Sequence, residues 1–377
     1  MSKIYLQNCT RFDGLEIKAP VSLLLDEKKR ILEVDPSDLP SDIKRLDCSD
    51  LIAIPGFFDL QVNGGKGYFF NELPSFETAQ QIQMAHQTFG TKDILITFIT
   101  DHKDKWDRVL QDWSDLSSWP KGIAGLHLEG PFLSRKKPGV HTPDFIRKMD
   151  GADVRALIQF KEKICDKALL LTIAPEEVLI SDVRKFVDAG IILFAGHSNA
   201  TFEEASAFFK AGGQGATHLY NAMSGLSARE PGLIGAVLNN SRVATTIIAD
   251  GYHVHETMLA LAKGTRPVDK MILVSDAMPS AAGGPSAFTL QGKEIHTKSG
   301  RSVTKDGVLS GSAVTLLDSI RYAHFTLGWS LEDCFMMTCT APWSVMGREI
   351  KASRLQVGEL FDDFLISRSL ETLVEWF

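Results

Sequence analysis

Apolar and polar positions change rhythm along this chain and divide it into three parts. Up to about residue 53, short apolar runs (IYL at 4–6, VSLLL at 21–25, ILEV at 31–34) are separated by Asp-Gly and by charged clusters such as DEKKR. Runs of that length between turn residues predict strands, and no helical period interrupts them. From Ile54 the pattern switches to apolar strands alternating with segments whose apolar residues recur at helical spacing. The strands read as IPGFFDLQVNG, DILITFIT, GIAGLHLEG, ALLLTIAPE, IILFAGHSN, GATHLYNAM, VATTIIADGYHV and KMILVSDAMP. Helices such as SFETAQQIQMAHQTFG, DKWDRVLQDWSDL, DVRALIQFKEKIC and FEEASAFFKAG stand between them. Eight strands apolar on both faces, alternating with helices, predict an α/β fold, a (β/α)8 TIM-type barrel. A doubly wound open sheet is the alternative, but no G-x-G-x-x-G follows the first strand to support it.

The segment GGPSAFTLQGKEIHTKSGRSVTKDGVLSGS after the eighth strand reads as a hairpin over the barrel mouth. Helices over 313–325 and 331–340 then close the barrel. The final stretch, SRLQVGELFDDFLISRSLETLVEWF, returns to a strand pattern. The expected organisation is one small β-sandwich built by both ends, residues 1–53 and 347–377, around a barrel spanning 54–346.

A length of 377 residues suits one large barrel with a small companion. Apolar content of 44% and charged content of 23% are ordinary for a globular protein. The formal charge of −7 gives no support for nucleic-acid or anionic-membrane partners. Five scattered cysteines without a C-x-x-C pair point to reduced thiols in a cytoplasmic protein, not to a disulfide framework or a cysteine zinc site. The segment MSKIYLQNCTRFDG lacks the apolar core of a signal peptide. No apolar run approaches the roughly 20 residues of a membrane span.

The polar residues at strand ends carry the chemistry. In such barrels catalytic groups sit at the C-terminal tips of strands. Those tips hold Asp59, Gln61 and Asn63 (strand one), Glu129 (three), His197 (five), His218 (six), His253 (after seven) and Asp276 (eight). Glu129 shares a strand face with His127 and is followed by Gly-Pro. A carboxylate buried there calls for a cation, a metal or several donors. Two imidazoles and a carboxylate make an N/O set suited to zinc or a similar divalent ion with a position open for water. Asp276 then has two competing roles, general base and acid for that water or fourth ligand. His141, in the loop KKPGVHTPDF, suits polarising a carbonyl unless it is simply an exposed loop histidine. Asn221 and Ala222 after strand six, with Arg229 and His253, suit an anionic group such as phosphate. NGGKG at 63–67 reads as a turn and His255 as a helix start. His86 and His324 read as structural helix residues, His102 and His296 as partnerless, and His127 as a layer beneath the site.

Taken in order, PGFFDLQVNGG, HLEGPF, PGVHTP, AGHSNA, THLYNAM, REPGLIGAVL, DGYHV, SDAM and LSGSAVTL resemble the amidohydrolase superfamily, more closely its N-acetylglucosamine-6-phosphate deacetylases. The resemblance implies a barrel with a split β-sandwich. It also implies one divalent metal on Glu129, His197 and His218, most simply Zn2+, with Fe2+, Co2+ or Mn2+ as alternatives. Asp276 becomes the acid/base and His141 the assistant at the acetyl carbonyl. Asn221, Ala222, Arg229 and His253 become the sugar-phosphate contacts, with help from a neighbouring subunit of a homodimer or higher oligomer. Many superfamily members carry His-x-His at the end of strand one. Here Gln61 and Asn63 stand there, so one tightly held metal is expected. The implied reaction is hydrolysis of N-acetyl-D-glucosamine 6-phosphate to D-glucosamine 6-phosphate and acetate. The N-acetylgalactosamine epimer, a cyclic amide substrate and a non-catalytic sugar-phosphate sensor are the rivals.

Overall fold

The computed structural model describes residues 3–39, 43–115, 119–349 and 355–374. The end of the expected helix at Leu116, and residues 353–354 and 375–377 of the expected C-terminal strands, lie outside these. Five strands open the chain: β1 (Ile4–Phe12), β2 (Ile17–Leu25), β3 (Ile31–Val34), β4 (Lys44–Asp47) and β5 (Leu51–Ile54). Next come β6 (Phe57–Val62), a small hairpin of β7 (Gly64–Gly65) and β8 (Tyr68–Phe69), α1 (Phe76–Gln87), β9 (Thr91–Ile99), α2 (Lys103–Asp112) and β10 (Ile123–Glu129). The alternation continues through α3 (Gly151–Ile164), β11 (Ala168–Ile173), α4 (Ile180–Asp188), β12 (Ile192–Ala195), α5 (Phe202–Lys210) and β13 (Gly215–Ala216). It ends with α6 (Gly232–Leu238), β14 (Ala244–Ile247), α7 (Glu256–Thr265) and β15 (Met271–Leu273). An insert of β16 (Ala287–Leu290), β17 (Lys293–Lys298), β18 (Arg301–Thr304) and β19 (Leu309–Ser312) follows. Then come α8 (Leu316–Arg321), α9 (Leu331–Phe335), α10 (Ala341–Val345), β20 (Phe364–Ser367) and β21 (Leu373–Val374).

Eight parallel strands in the order β15-β14-β13-β12-β11-β10-β9-β6 form a nearly closed TIM-type barrel. The seam between β15 and β6 is sealed beyond the strand ends. Val62 bridges Ala277, and the Asn63 and Gly64 amides both donate to the Ala277 carbonyl at 2.9 Å. Asp59 reaches across it, accepting from the Ser275 amide at 3.2 Å and from the Gln61 amide at 3.1 Å. Outward strand residues (Ile94, Ile96, Leu126, Leu128, Leu169, Leu171) pack against helix residues such as Ile82, Val109, Leu157 and Phe186. Phe58, Leu60, Leu95, Leu170, Phe194, Ile272 and Val274 form a second core, with Trp343, Val345 and Met346 packed against it. That arrangement fills the barrel with side chains and leaves the chemistry to its mouth.

Both ends of the chain meet in one seven-stranded sheet, β21-β20-β5-β1-β2-β3, with β4 also on β1. Strand alternation splits it between two cores. Ile52, Ile54, Phe364 and Ile366 join the main core, while Ala53 and Leu365 join a small cluster with Leu6, Cys9, Leu23 and Cys48. All five cysteines are free. Among the described residues no helix is long and apolar enough to cross a membrane.

Two expectations need correction. The insert is a four-stranded antiparallel meander, β16-β17-β18-β19, because Gln291-Gly292, Ser299-Gly300 and Gly307 each reverse the chain at positive φ. Strand six ends at Ala216, well short of GATHLYNAM, because His218, Tyr220 and Ala222 take φ of 37°, 80° and 49°. A strand cannot run through left-handed backbone.

Candidate active site

Glu129 is the last residue of β10, and His197 and His218 follow β12 and β13 by two residues each. All three are buried, with the rings and carboxylate meeting at a point. His218 Nε2 lies 2.8 Å from Glu129 Oε1 and His197 Nε2 lies 3.2 Å from the same oxygen. The two Nε2 atoms are 3.2 Å apart. His197 Nδ1 stands 3.0 Å from the Lys137 carbonyl, which can only accept, so Nδ1 carries the proton and Nε2 presents a lone pair. A lone pair facing a carboxylate oxygen is repulsive without a positive centre between them. Protonating both rings would instead set two N–H groups 3.2 Å apart. One cation satisfies all three atoms, so the residues present fit a divalent metal. His141 adds a flanking nitrogen, and ligand atoms of Glu129, His141 and His197 all lie within 4.8 Å of one another.

Asp276 faces this cluster. Asn63 Nδ2 donates to its Oδ1 at 2.7 Å, which gives the amide at this strand end a role of its own. Burial first, and then the Glu129 charge, push Asp276 up to about 7. His141 is buried, its Nε2 3.9 Å from Glu129 Oε2 and its ring edge-on to His197 at 4.4 Å. Burial, with His197 next, pushes it down to about 3, so it is neutral. The loop Lys136–His141 passes so close that a Cβ on Gly139 would stand 2.9 Å from His197 Cε1. Beneath the cluster, His127 sits between Thr97 Oγ1 at 3.4 Å and Thr172 Oγ1 at 2.8 Å, a core position.

A cavity of about 370 Å³ opens over these groups, lined by Asn63, Glu129, His141, His197, His218 and Asp276 together with Asn221, Ala222 and His253. His253 Nδ1 donates to Asp250 Oδ2 at 2.7 Å. Burial alone would lower the His253 pKa, but that hydrogen bond and the Asp250 charge raise it, favouring the cation. Arg229 is exposed and is not among the lining residues, which include Lys136 and Lys137 instead. Sequence reasoning missed both lysines, and it missed Asp250, whose signal was its place three residues before His253. A larger cavity, about 990 Å³, lies toward the N-terminal ends of the strands among Lys161, Lys167, Lys210 and Arg242, and shares none of the converging groups. Of the remaining histidines, His86 and His255 match their structural readings, whereas His102 and His296, expected to be partnerless, are not: His102 packs on the Phe145 ring at 4.1 Å and His296 Nε2 lies 3.4 Å from Glu294 Oε2. His86 bonds the Gly64 carbonyl at 3.0 Å, and His255 caps α7 by accepting from the Thr257 amide.

The amidohydrolase family model matches residues 52–374. The chain belongs to the amidohydrolase family. It is similar to the N-acetylglucosamine-6-phosphate deacetylase of Haemophilus influenzae, 33% identical over 95% of this chain and 93% of that protein. It is also 34% identical to the N-acetylgalactosamine-6-phosphate deacetylase of a Shewanella species, over 79% of this chain and 74% of that one. The crystal structure of N-acetylglucosamine-6-phosphate deacetylase from Pasteurella multocida superposes with a TM-score of 0.87 at 30% identity, covering 98% of this chain and 96% of the other. For an amidohydrolase a divalent metal is implied, and the Glu/His cluster at the barrel mouth is a place that could bind it.

Proposed function

We propose that this amidohydrolase cleaves the acetamide of N-acetyl-D-glucosamine 6-phosphate to D-glucosamine 6-phosphate and acetate, a step of amino-sugar catabolism. The observation that carries the reading is the meeting of Glu129, His197 and His218 within one cavity with Asp276 and His253. A divalent ion held by those three residues, Zn2+ before Fe2+, Co2+ or Mn2+ for this N/O set, would supply Lewis acidity and lower the pKa of water.

Asp276 takes the proton of the attacking water as the C–O bond forms, then gives it to the nitrogen as the C–N bond breaks. Neutral His141 donates a hydrogen bond to the acetyl oxygen as charge grows there. His253, whose cationic form the Asp250 contact favours, holds the 6-phosphate with Asn221 and Ala222. Arg229, exposed and outside its own cavity, serves the phosphate of a neighbouring subunit in a homodimer or higher oligomer.

Asp276→Asn is expected to keep its metal and lose turnover by roughly 10²–10⁴-fold in an acetate-release assay. Substantial activity in the metal-loaded variant would refute the role. The Shewanella relative makes the galactosamine epimer the second reading. Acetate release from both epimeric sugar phosphates decides between them, and release from neither, with metal bound, would favour a non-catalytic sugar-phosphate sensor.

A further inference from the structure

His141 is aimed by nothing of its own. Its Nδ1 is buried without a hydrogen-bond partner among the described residues, and its Nε2 is 3.9 Å from the nearest carboxylate oxygen. Its two chain neighbours are both held by the inserted meander. Thr142 Oγ1 donates to Gln291 Oε1 at 2.7 Å, and Lys293 Nζ donates to the Val140 carbonyl at 3.2 Å. The other end of the Gln291 amide donates to the Thr100 carbonyl at 2.7 Å. Thr100 in turn donates through Oγ1 to the Glu129 carbonyl at 3.0 Å. The Gln291 amide orientation is unambiguous, because a backbone carbonyl only accepts.

We infer that Gln291, at the tip of the β16–β17 turn, is a positioning residue that locks the His141 loop to the strand ends carrying Glu129. This rests on the reading of His141 given above. Its backbone supports the assignment. Gln291 and Gly292 form a two-residue turn with φ of 48° and 81°. Asn, Asp or Gly suits the first position, and left-handed backbone costs other residues about 1–2 kcal/mol. A longer amide occupies it nonetheless, and that amide spans the gap between Thr142 and Thr100. Strain at such a place points to function. The meander is docked, since Leu290 and Ile295 pack with Phe69, Ile99 and Met278, and Val140 packs against them.

The test is a cycle of variants read by acetate release from N-acetylglucosamine 6-phosphate, with metal content and melting temperature followed in parallel. Gln291→Ala is expected to lower kcat about tenfold or more with KM and metal content little changed. Thr142→Val should do the same, and the pair together no worse than either alone. In a His141→Asn background Gln291→Ala should cost nothing further. An equal loss in both backgrounds would reduce Gln291 to a structural residue and overturn the inference. So would wild-type kcat in Gln291→Ala beside a crippled His141→Asn. If His141→Asn itself turned over normally, the reading of the site would fail with it, which is a different and visible result. Should Gln291→Ala not melt cooperatively, Gln291→Glu keeps the acceptor for Thr142, loses the donor to Thr100, and is judged by the same cycle.

Discussion

His197, His218 and Asp276 all sit just past strand tips with φ of 46°, 37° and 50°. Each such residue costs about 1–2 kcal/mol relative to ordinary backbone. The barrel holds them there, and the turned backbone swings their side chains inward over the mouth instead of along the strand. The residue types were legible in the sequence, because polar groups at the ends of apolar runs stand out. Their partners were not. Asn63 holding Asp276 and Asp250 holding His253 are side-chain contacts, and only the second pair is close in sequence. The Asp250 contact has a pH consequence. The His253 pKa is raised, so the charged ring is present at low pH and is lost as pH rises through that raised value. In Asp250→Asn the loss should come at lower pH. KM for the phosphorylated sugar is then expected to climb earlier on the pH axis than in the wild type, with kcat less affected. Coincident KM profiles for the two proteins would contradict this.

Most elements of the barrel follow from local rules. Thr201 and Glu204 form a capping box at the start of α5, and Asp150 with Asp153 does the same for α3. Where local reading fell short, backbone geometry intervened, as at the truncated β13 and in the meander whose glycine turns add two strands to the expected hairpin. The terminal sheet carries a buried charge that periodicity does not reveal. Asp363, just before β20, is pushed by burial up to about 7. Its unfolded value is about 4. Its contribution to stability is therefore fully present below pH ~4 and is lost as pH rises through the folded pKa. Asp363→Asn should raise the melting temperature at pH 8 and change it little below pH ~4. Equal shifts at both would show that the carboxyl's charge is not the cause.

At the scale of the whole molecule, the exposed Arg229 and the buried Asp276 of one chain serve different cavities if the phosphate contact crosses a subunit interface. Arg229→Ala and Asp276→Asn, each weak alone, should then give more activity when refolded together than either does separately. Mixed oligomers would contain sites with both residues intact. No gain on mixing would place the phosphate contacts within one chain, where Lys136 and Lys137 already line the cavity. The sequence by itself determined the alternation of strands and helices and the residue types at the strand tips, because hydrophobic period and turn chemistry are local. Only the tertiary structure decided that Glu129 and His218, 89 residues apart, share one oxygen with His197. It also decided that the Lys137 carbonyl selects the His197 tautomer and that Gln291 reaches Thr142, 149 residues away. Those contacts exist because the barrel closes and the insert docks on it, and no window of sequence short enough to read contains both partners.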